Sequence, residues 1–339
     1  MYGLERDNSD RQTWIDVLKG IGIILVVFGH INLDSSLVKW IYSFHMPMFF
    51  ALSGYMWGKK FLLSPRFSVF LNKKIKSLLW PYILFRVLLW LYWRIIEYRF
   101  RELDLGPIWF LLALFIVELL AYGVVRIKNN VVLYAGTGIF AVTLMVIFSF
   151  QLNAEHSVIL EWLVRILNAY SWYCIGGILG YVEASGKFKI CRSLYARCVV
   201  CLGISLFASF ANLPVSMWSN AWGCLPLYYL GGVSGGLLLG EVCKEIIKKN
   251  NFLEWFGRNT LWILATHEPI KRIVIKLVEI ISQMCRFPLS KALIQSSILM
   301  SIMMLLIVCI IEILILKLLI YIKKRLSQKY SQWISFVSE

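Results

Sequence analysis

Long apolar runs separated by short polar breaks recur along the whole chain. A helix needs about 17–25 apolar residues to cross the hydrocarbon core of a bilayer. About ten such runs are predicted, at roughly 13–33, 37–58, 77–97, 107–125, 131–150, 160–182, 196–212, 220–240, 256–276 and 292–322. The first is full length and no small-residue cleavage site follows before the second begins, so it is expected to remain as a helix rather than to be removed as a signal peptide. Composition agrees: 59% of the 339 residues are hydrophobic and only 16% are charged, beyond the roughly 45–50% apolar of soluble domains. The expected fold class is all-α, a polytopic membrane protein whose helices form a single bundle. Residues 1–12 form an N-terminal segment, 13–322 the membrane-embedded domain and 323–339 a basic tail.

A formal net charge of +16 could point to nucleic acid, but the positions of the basic residues argue otherwise. They fall in alternate loops: Lys59, Lys60, Arg66, Lys73, Lys74 and Lys76, then Arg126 and Lys128, then Lys187, Lys189, Arg192 and Arg197, then Lys244, Lys248, Lys249 and Arg258, then the tail. The intervening loops around Asp34, 151–157 and 213–220 hold almost none. That alternation is the positive-inside pattern, so both termini are predicted to be cytoplasmic and no nucleic-acid partner is implied. Lys271, Arg272 and Lys276 do not fit, because they would lie at the outer end of the ninth run. That run is therefore expected to be short, broken or tilted.

Most of the eight cysteines lie in or beside apolar runs and read as packing residues. Cys198 and Cys201 form a C-x-x-C with no second pair and no nearby histidine, which argues against zinc, and no metal is expected. No internal repeat, P-loop or dinucleotide fingerprint occurs. The stretch LGGVSGGLLLG from Leu230 superimposes several small-x-x-x-small pairs, the signature of close helix packing.

Ionisable residues inside an apolar run are costly and by default mark a site. In the first helix Asp16, Lys19 and His30 are spaced by three and eleven residues, which at 3.6 residues per turn places all three on one face. Lys19 and His30 are then about 16 Å apart along the axis. A snorkelling Lys19, an Asp16 paired with it at i, i+3 and an interfacial His30 would give the same pattern. The second helix adds His45 near the same end as His30, so that both rings can face one cavity.

These segments resemble the bacterial acyltransferase-3 family, membrane-embedded enzymes that O-acetylate sugars of surface polysaccharides and related glycans. The resemblance rests on WIDVLKGIGIILVVFGH, with ten residues between Lys19 and His30, and on FHMPMFFALSGY from Phe44 to Tyr55. KKIKSLLWPY before the third run, IWFLLALF from Ile108 and GRNTLWILATHEP from Gly257 extend it. The usual R-x-x-R at the start of the third helix is replaced by Lys73, Lys74 and Lys76, which can attract phosphate but lack the bidentate guanidinium fork. No soluble SGNH-type domain follows, so acceptor transfer is expected within the membrane domain or with a separate partner.

The resemblance implies a membrane-bound O-acetyltransferase of the bacterial cytoplasmic membrane, moving an acetyl or other acyl group from cytoplasmic acetyl-CoA to a sugar hydroxyl of a surface or lipid-linked glycan. Such a transfer needs a base for the alcohol, and imidazole is the side chain matched to neutral pH. His30 is the candidate base, with acetyl-imidazole formation an equally allowed role. Asp16 is the second candidate catalytic residue; about 21 Å from His30 along the helix, it would act by pairing with Lys19 or positioning the donor. Lys19, Lys73, Lys74 and Lys76 are the candidates for binding the phosphates of acyl-CoA. His45, Trp109 and His267 are candidate acceptor or pocket residues. Glu118, a carboxylate within the fourth run, carries no assigned role. A proton-coupled secondary transporter, or a noncatalytic membrane component of a glycan-assembly complex, are the other classes consistent with intramembrane histidines and carboxylates.

Overall fold

The computed structural model describes residues 12–32, 36–59, 65–96, 106–127, 130–155, 157–186, 193–286 and 297–337. The proposed N-terminal segment, apart from Gln12, therefore lies outside the described residues, as do Asp34, Lys60, Lys128, Lys187, Lys189 and Arg192. Twelve α-helices occupy the described residues: α1 (Thr13–Ile31), α2 (Ser36–Gly58), α3 (Phe67–Lys74), α4 (Trp80–Ile95), α5 (Trp109–Ile127), α6 (Val131–Glu155), α7 (Val158–Ala184), α8 (Leu194–Ala211), α9 (Leu225–Glu241), α10 (Asn251–Arg258), α11 (Thr260–Met284) and α12 (Ile298–Val337). A π-helical turn joins α3 to α4 and another ends α9. Among the described residues there is no strand, only an isolated bridge between Ser216 and Ala221.

Among the described residues every predicted apolar run overlaps helix, and six helical stretches are long and apolar enough to cross a membrane. Those six contain α1, α3–α4, α5, α6, α8 and α12. The remaining long helices, α2, α7, α9 and α11, are interrupted by glycines or by polar and charged residues, and they make up much of the interior.

The packing explains that division. α2 lies against α7, α8 and α9, while α1 lies against α2, α10 and α11. The α2–α7 crossing is close enough that a Cβ on Gly54 would meet the backbone of Tyr173, and one on Gly176 the backbone of Ala51. The glycines of α9 do what their spacing predicts, with Gly232 under the Trp172 ring and Gly235 under Phe44. α4, α8 and α12 instead present Trp80, Leu84, Val199, Phe207, Leu314 and Leu318 outward. In water such a surface would be untenable; in lipid it is the expected exterior.

One end of the bundle is tied by polar contacts. Lys59 at the end of α2 reaches Gln12 and pairs with Glu183 at the end of α7, which also holds Lys244; Arg197 at the start of α8 pairs with Glu241 of α9. Thr13 donates to the carbonyl of Lys248. The ends predicted to share one side of the membrane therefore meet at one end of the molecule. Cys174, Cys243 and Cys309 pack as expected, but Cys224 and Cys285 are exposed, and Cys191 lies outside the described residues.

Candidate active site

A cavity of about 660 Å³ lies at the opposite end of α1 from Gln12 and Thr13. Six parts of the chain supply its walls, one of them Trp93 of α4. α1 contributes Val26 and His30, and α2 contributes Tyr42, His45 and Met46. The turn into α5 contributes Gly106, Pro107 and Trp109; Gly106 has φ +49°, in the left-handed region that favours glycine. The loop between α8 and α9 brings Ser216, Met217 and Trp218. α11 completes the wall with Glu268, Lys271 and Arg272 on successive turns.

The loop is held over the cavity by specific bonds. Asn212 donates to the carbonyl of Trp222 and accepts from the amide of Cys224 (2.7 Å), closing its base. Ser216 and Ala221 exchange two backbone hydrogen bonds. The Arg165 guanidinium donates to the carbonyl of Trp218 and stands 4.2 Å from that ring, with Trp162 at 5.0 Å and Trp109 at 5.7 Å. One buried cation thus gathers three tryptophans, of which Trp109 and Trp218 line the cavity.

The histidine geometry fixes proton positions. His45 Nδ1 lies 2.9 Å from the carbonyl of Ile41, and His267 Nδ1 lies 2.8 Å from that of Ile263. A carbonyl can only accept, so both rings carry their proton on Nδ1 and present a lone pair on Nε2 when neutral. His267 is fully buried, and its ring centroid is 5.1 Å from that of His30. The ligand atoms of His30, His267 and Glu268 all fall within 4.8 Å of one another, a spacing a cation could use. Both carboxylate oxygens of Glu268 are already engaged, by Lys271 at 2.5 Å and Arg272 at 2.8 Å, and those two cations oppose a further positive charge. Lys271 also donates to the backbone carbonyl of His30 (3.0 Å), joining the end of α1 to α11. Arg272 lies over the Trp93 ring at 4.7 Å.

Of the residues singled out from sequence, His30, His45 and Trp109 line the cavity together and His267 sits directly behind His30. Asp16 and Lys19 lie toward the other end of α1, where Asp16 is 3.5 Å from Arg258. Lys74 makes a 2.6 Å ion pair with buried Glu118, whereas Lys73 and Lys76 are exposed. The ninth run is divided at Asn259 between α10 and α11, and α11 then continues unbroken from Thr260 to Met284. Its Lys271 and Arg272 both pair with Glu268 on the cavity wall, which offsets part of their charge. Glu268, Lys271, Arg272, Tyr42, Arg165 and Trp218 were not singled out as site residues. The three basic residues that broke the positive-inside pattern were the available signal.

A family model described as "Acyltransferase domain" matches residues 12–317. The nodulation protein NolL of Mesorhizobium japonicum is 30% identical over 129 residues, covering 32% of this chain and 34% of that protein. NolL of Sinorhizobium fredii is 46% identical over 59 residues, covering 14% and 16% respectively. The alignments therefore span about a third or less of these curated relatives. No solved structure matches.

Proposed function

Because this chain belongs to the acyltransferase family and is a membrane acyltransferase, we propose that it moves an acetyl group from acetyl-CoA to a sugar hydroxyl of a surface or lipid-linked glycan in the cavity beside His30. The observation that carries this reading is the convergence of His30, His45, Trp109 and Trp218 on one cavity, at the far end of α1 from Lys19. Tryptophan faces suit the apolar faces of a sugar ring, and imidazole, carboxylate and ammonium groups suit its hydroxyls. Lys19 and the exposed Lys73 and Lys76 would receive the phosphates of the donor at the other end. Lys74 serves Glu118 instead.

In the proposed reaction the acceptor hydroxyl attacks the thioester carbonyl while His30 takes its proton. The tetrahedral intermediate collapses with loss of the CoA thiolate, which recovers that proton from the imidazolium. Ester and thiol are the only products, and His30 ends as it began. Lys271 stands beside this site, with its ammonium already shared between Glu268 and the His30 carbonyl, and adds positive potential where negative charge develops.

The deciding experiment supplies purified protein in liposomes with radiolabelled acetyl-CoA and surface glycan. Alkali-labile label on the glycan is expected with wild type, and His30→Ala should lower kcat by roughly 100- to 10,000-fold. Lys19→Ala should raise KM for acetyl-CoA with a smaller effect on kcat. A proton-driven solute flux without acetyl transfer would replace this reading with the transporter. Full activity in His30→Ala would remove His30 from the chemistry.

A further inference from the structure

His267 is fully buried, its Nδ1 proton is committed to the Ile263 carbonyl, and its Nε2 has no hydrogen-bond partner. A buried acceptor left unpaired is uncommon and costly. The ring beside it is His30. The backbones that carry the two rings are tied together by Lys271 of α11, which donates to the His30 carbonyl, while Tyr42 of α2 donates to the neighbouring Gly29 carbonyl (3.3 Å). A ring nitrogen of His30 and one of His267 lie within 4.8 Å of each other.

We propose that His267 is a positioning residue: its Nε2 lone pair accepts the N–H of His30, holding His30 in the one tautomer whose other nitrogen presents a lone pair to the cavity. The Ile263 carbonyl sets the proton on His267, and His267 in turn sets the proton on His30. This relay extends over two residues and ends on the atom that would take the acceptor's proton. It deepens the reading of His30 as base and rests on it.

The other groups around His30 do not replace this role. His45 shares the same tautomer, but its ring packs against Tyr42, with centroids 4.8 Å apart, whereas the His267 ring packs against His30. Tyr42 donates to Gly29, and both oxygens of Glu268 are held by Lys271 and Arg272. His267 Nε2 is the buried acceptor left beside the ring. During transfer the His30 imidazolium would keep its bond to His267 and lose only the proton it had gained, so the atoms balance with His267 neutral throughout.

The test reads the tautomer directly. The chain holds four histidines, His30, His45, His156 and His267, so ¹⁵N-histidine-labelled full-length protein in liposomes gives a spectrum that single substitutions can assign. In wild type His30 should show one tautomer. In His267→Phe it should show a mixture, and kcat for acetyl transfer should fall on the order of 100-fold with KM for both substrates within about twofold. His267→Gln places an amide oxygen near the position of Nε2 and should restore the single tautomer and most of the rate. A His30 tautomer unchanged in His267→Phe overturns the proposal, as does equal loss of rate in the Gln and Phe variants. If the Phe variant does not fold, the Gln variant and the wild-type spectrum still decide, because a mixed tautomer in wild type is also fatal. A stoichiometric divalent metal in the purified protein, lost in His267→Gln, would make His267 a ligand and overturn the pairing. The spectrum needs no substrate, so failure of wild type to transfer acetyl would count against the proposed reaction while leaving the tautomer result to be read on its own.

Discussion

Lys74 enters the bundle from the α3–α4 stretch to meet Glu118 at 2.6 Å, with the Phe70 ring 5.7 Å from its ammonium. The Glu118 side chain is only 7% exposed, so this carboxylate depends on the lysine for its charge to be tolerated. Removing one member of such a pair strands the other, whereas removing both leaves an apolar contact. Lys74→Met or Glu118→Leu alone should therefore destabilise by about 3 kcal/mol, and the double variant by distinctly less than either. Apparent melting temperatures of the three purified proteins in one detergent check this; a double variant as unstable as the sum of the singles would show that the pair is not coupled. The same pairing bears on acyl-CoA binding. Lys74→Met should act through stability, while the exposed Lys73 and Lys76, changed to Gln, should raise KM for the donor without lowering the melting temperature.

Helices α2 and α7 cross with backbones in contact, and the size of one residue controls the crossing. A Cβ at Gly176 would overlap the backbone of Ala51, which cannot rotate away, whereas one at Gly123 of α5 meets nothing within 4 Å. Gly176→Ala should destabilise by about 1–3 kcal/mol as an overpacked contact, and Gly123→Ala should not destabilise at all. Thermal unfolding of the two variants side by side separates crowding from any general effect of losing glycine. The elements themselves were legible because a membrane-length apolar run specifies a helix almost by length alone, and the glycines of α9 announced their packing by spacing. α11 was harder. Its basic residues count as charges against a span until Glu268 is seen to pair with two of them across one helical turn. Harder still was the loop closed by Asn212, because Ser216 and Trp218 reach the cavity through a turn whose bonds come from α7 and from the loop's own backbone. His30 and His45 could be read directly as polar rings in apolar helices. Their partners on α11 and the loop are set by tertiary contacts that sequence spacing does not encode.

At the scale of the whole molecule, the polar ties among Gln12, Lys59, Glu183 and Lys244 mark one end, and the cavity with His30, Glu268 and Trp218 marks the other. The distribution of basic residues predicts that the first end is cytoplasmic, an orientation in which the proposed donor and acceptor would approach from opposite sides and meet within the bundle. Two native cysteines report that orientation without any change to the protein. Cys224 begins α9 beside the loop over the cavity and Cys285 follows the last residue of α11, and both are exposed. Cys198, near the start of α8 beside Arg197, lies toward the other end. A membrane-impermeant maleimide applied to intact cells should therefore label Cys224 and Cys285, with Cys198 reached only after permeabilisation, as located by peptide mass spectrometry. The reverse pattern would turn the molecule over, placing the cavity on the side where acetyl-CoA is made and removing the need for the acyl group to cross at all. With the expected pattern, sealed vesicles should transfer label to external glycan only when acetyl-CoA is loaded on the face bearing Lys59 and Lys244, which makes vectorial transfer a consequence of how the two ends are built.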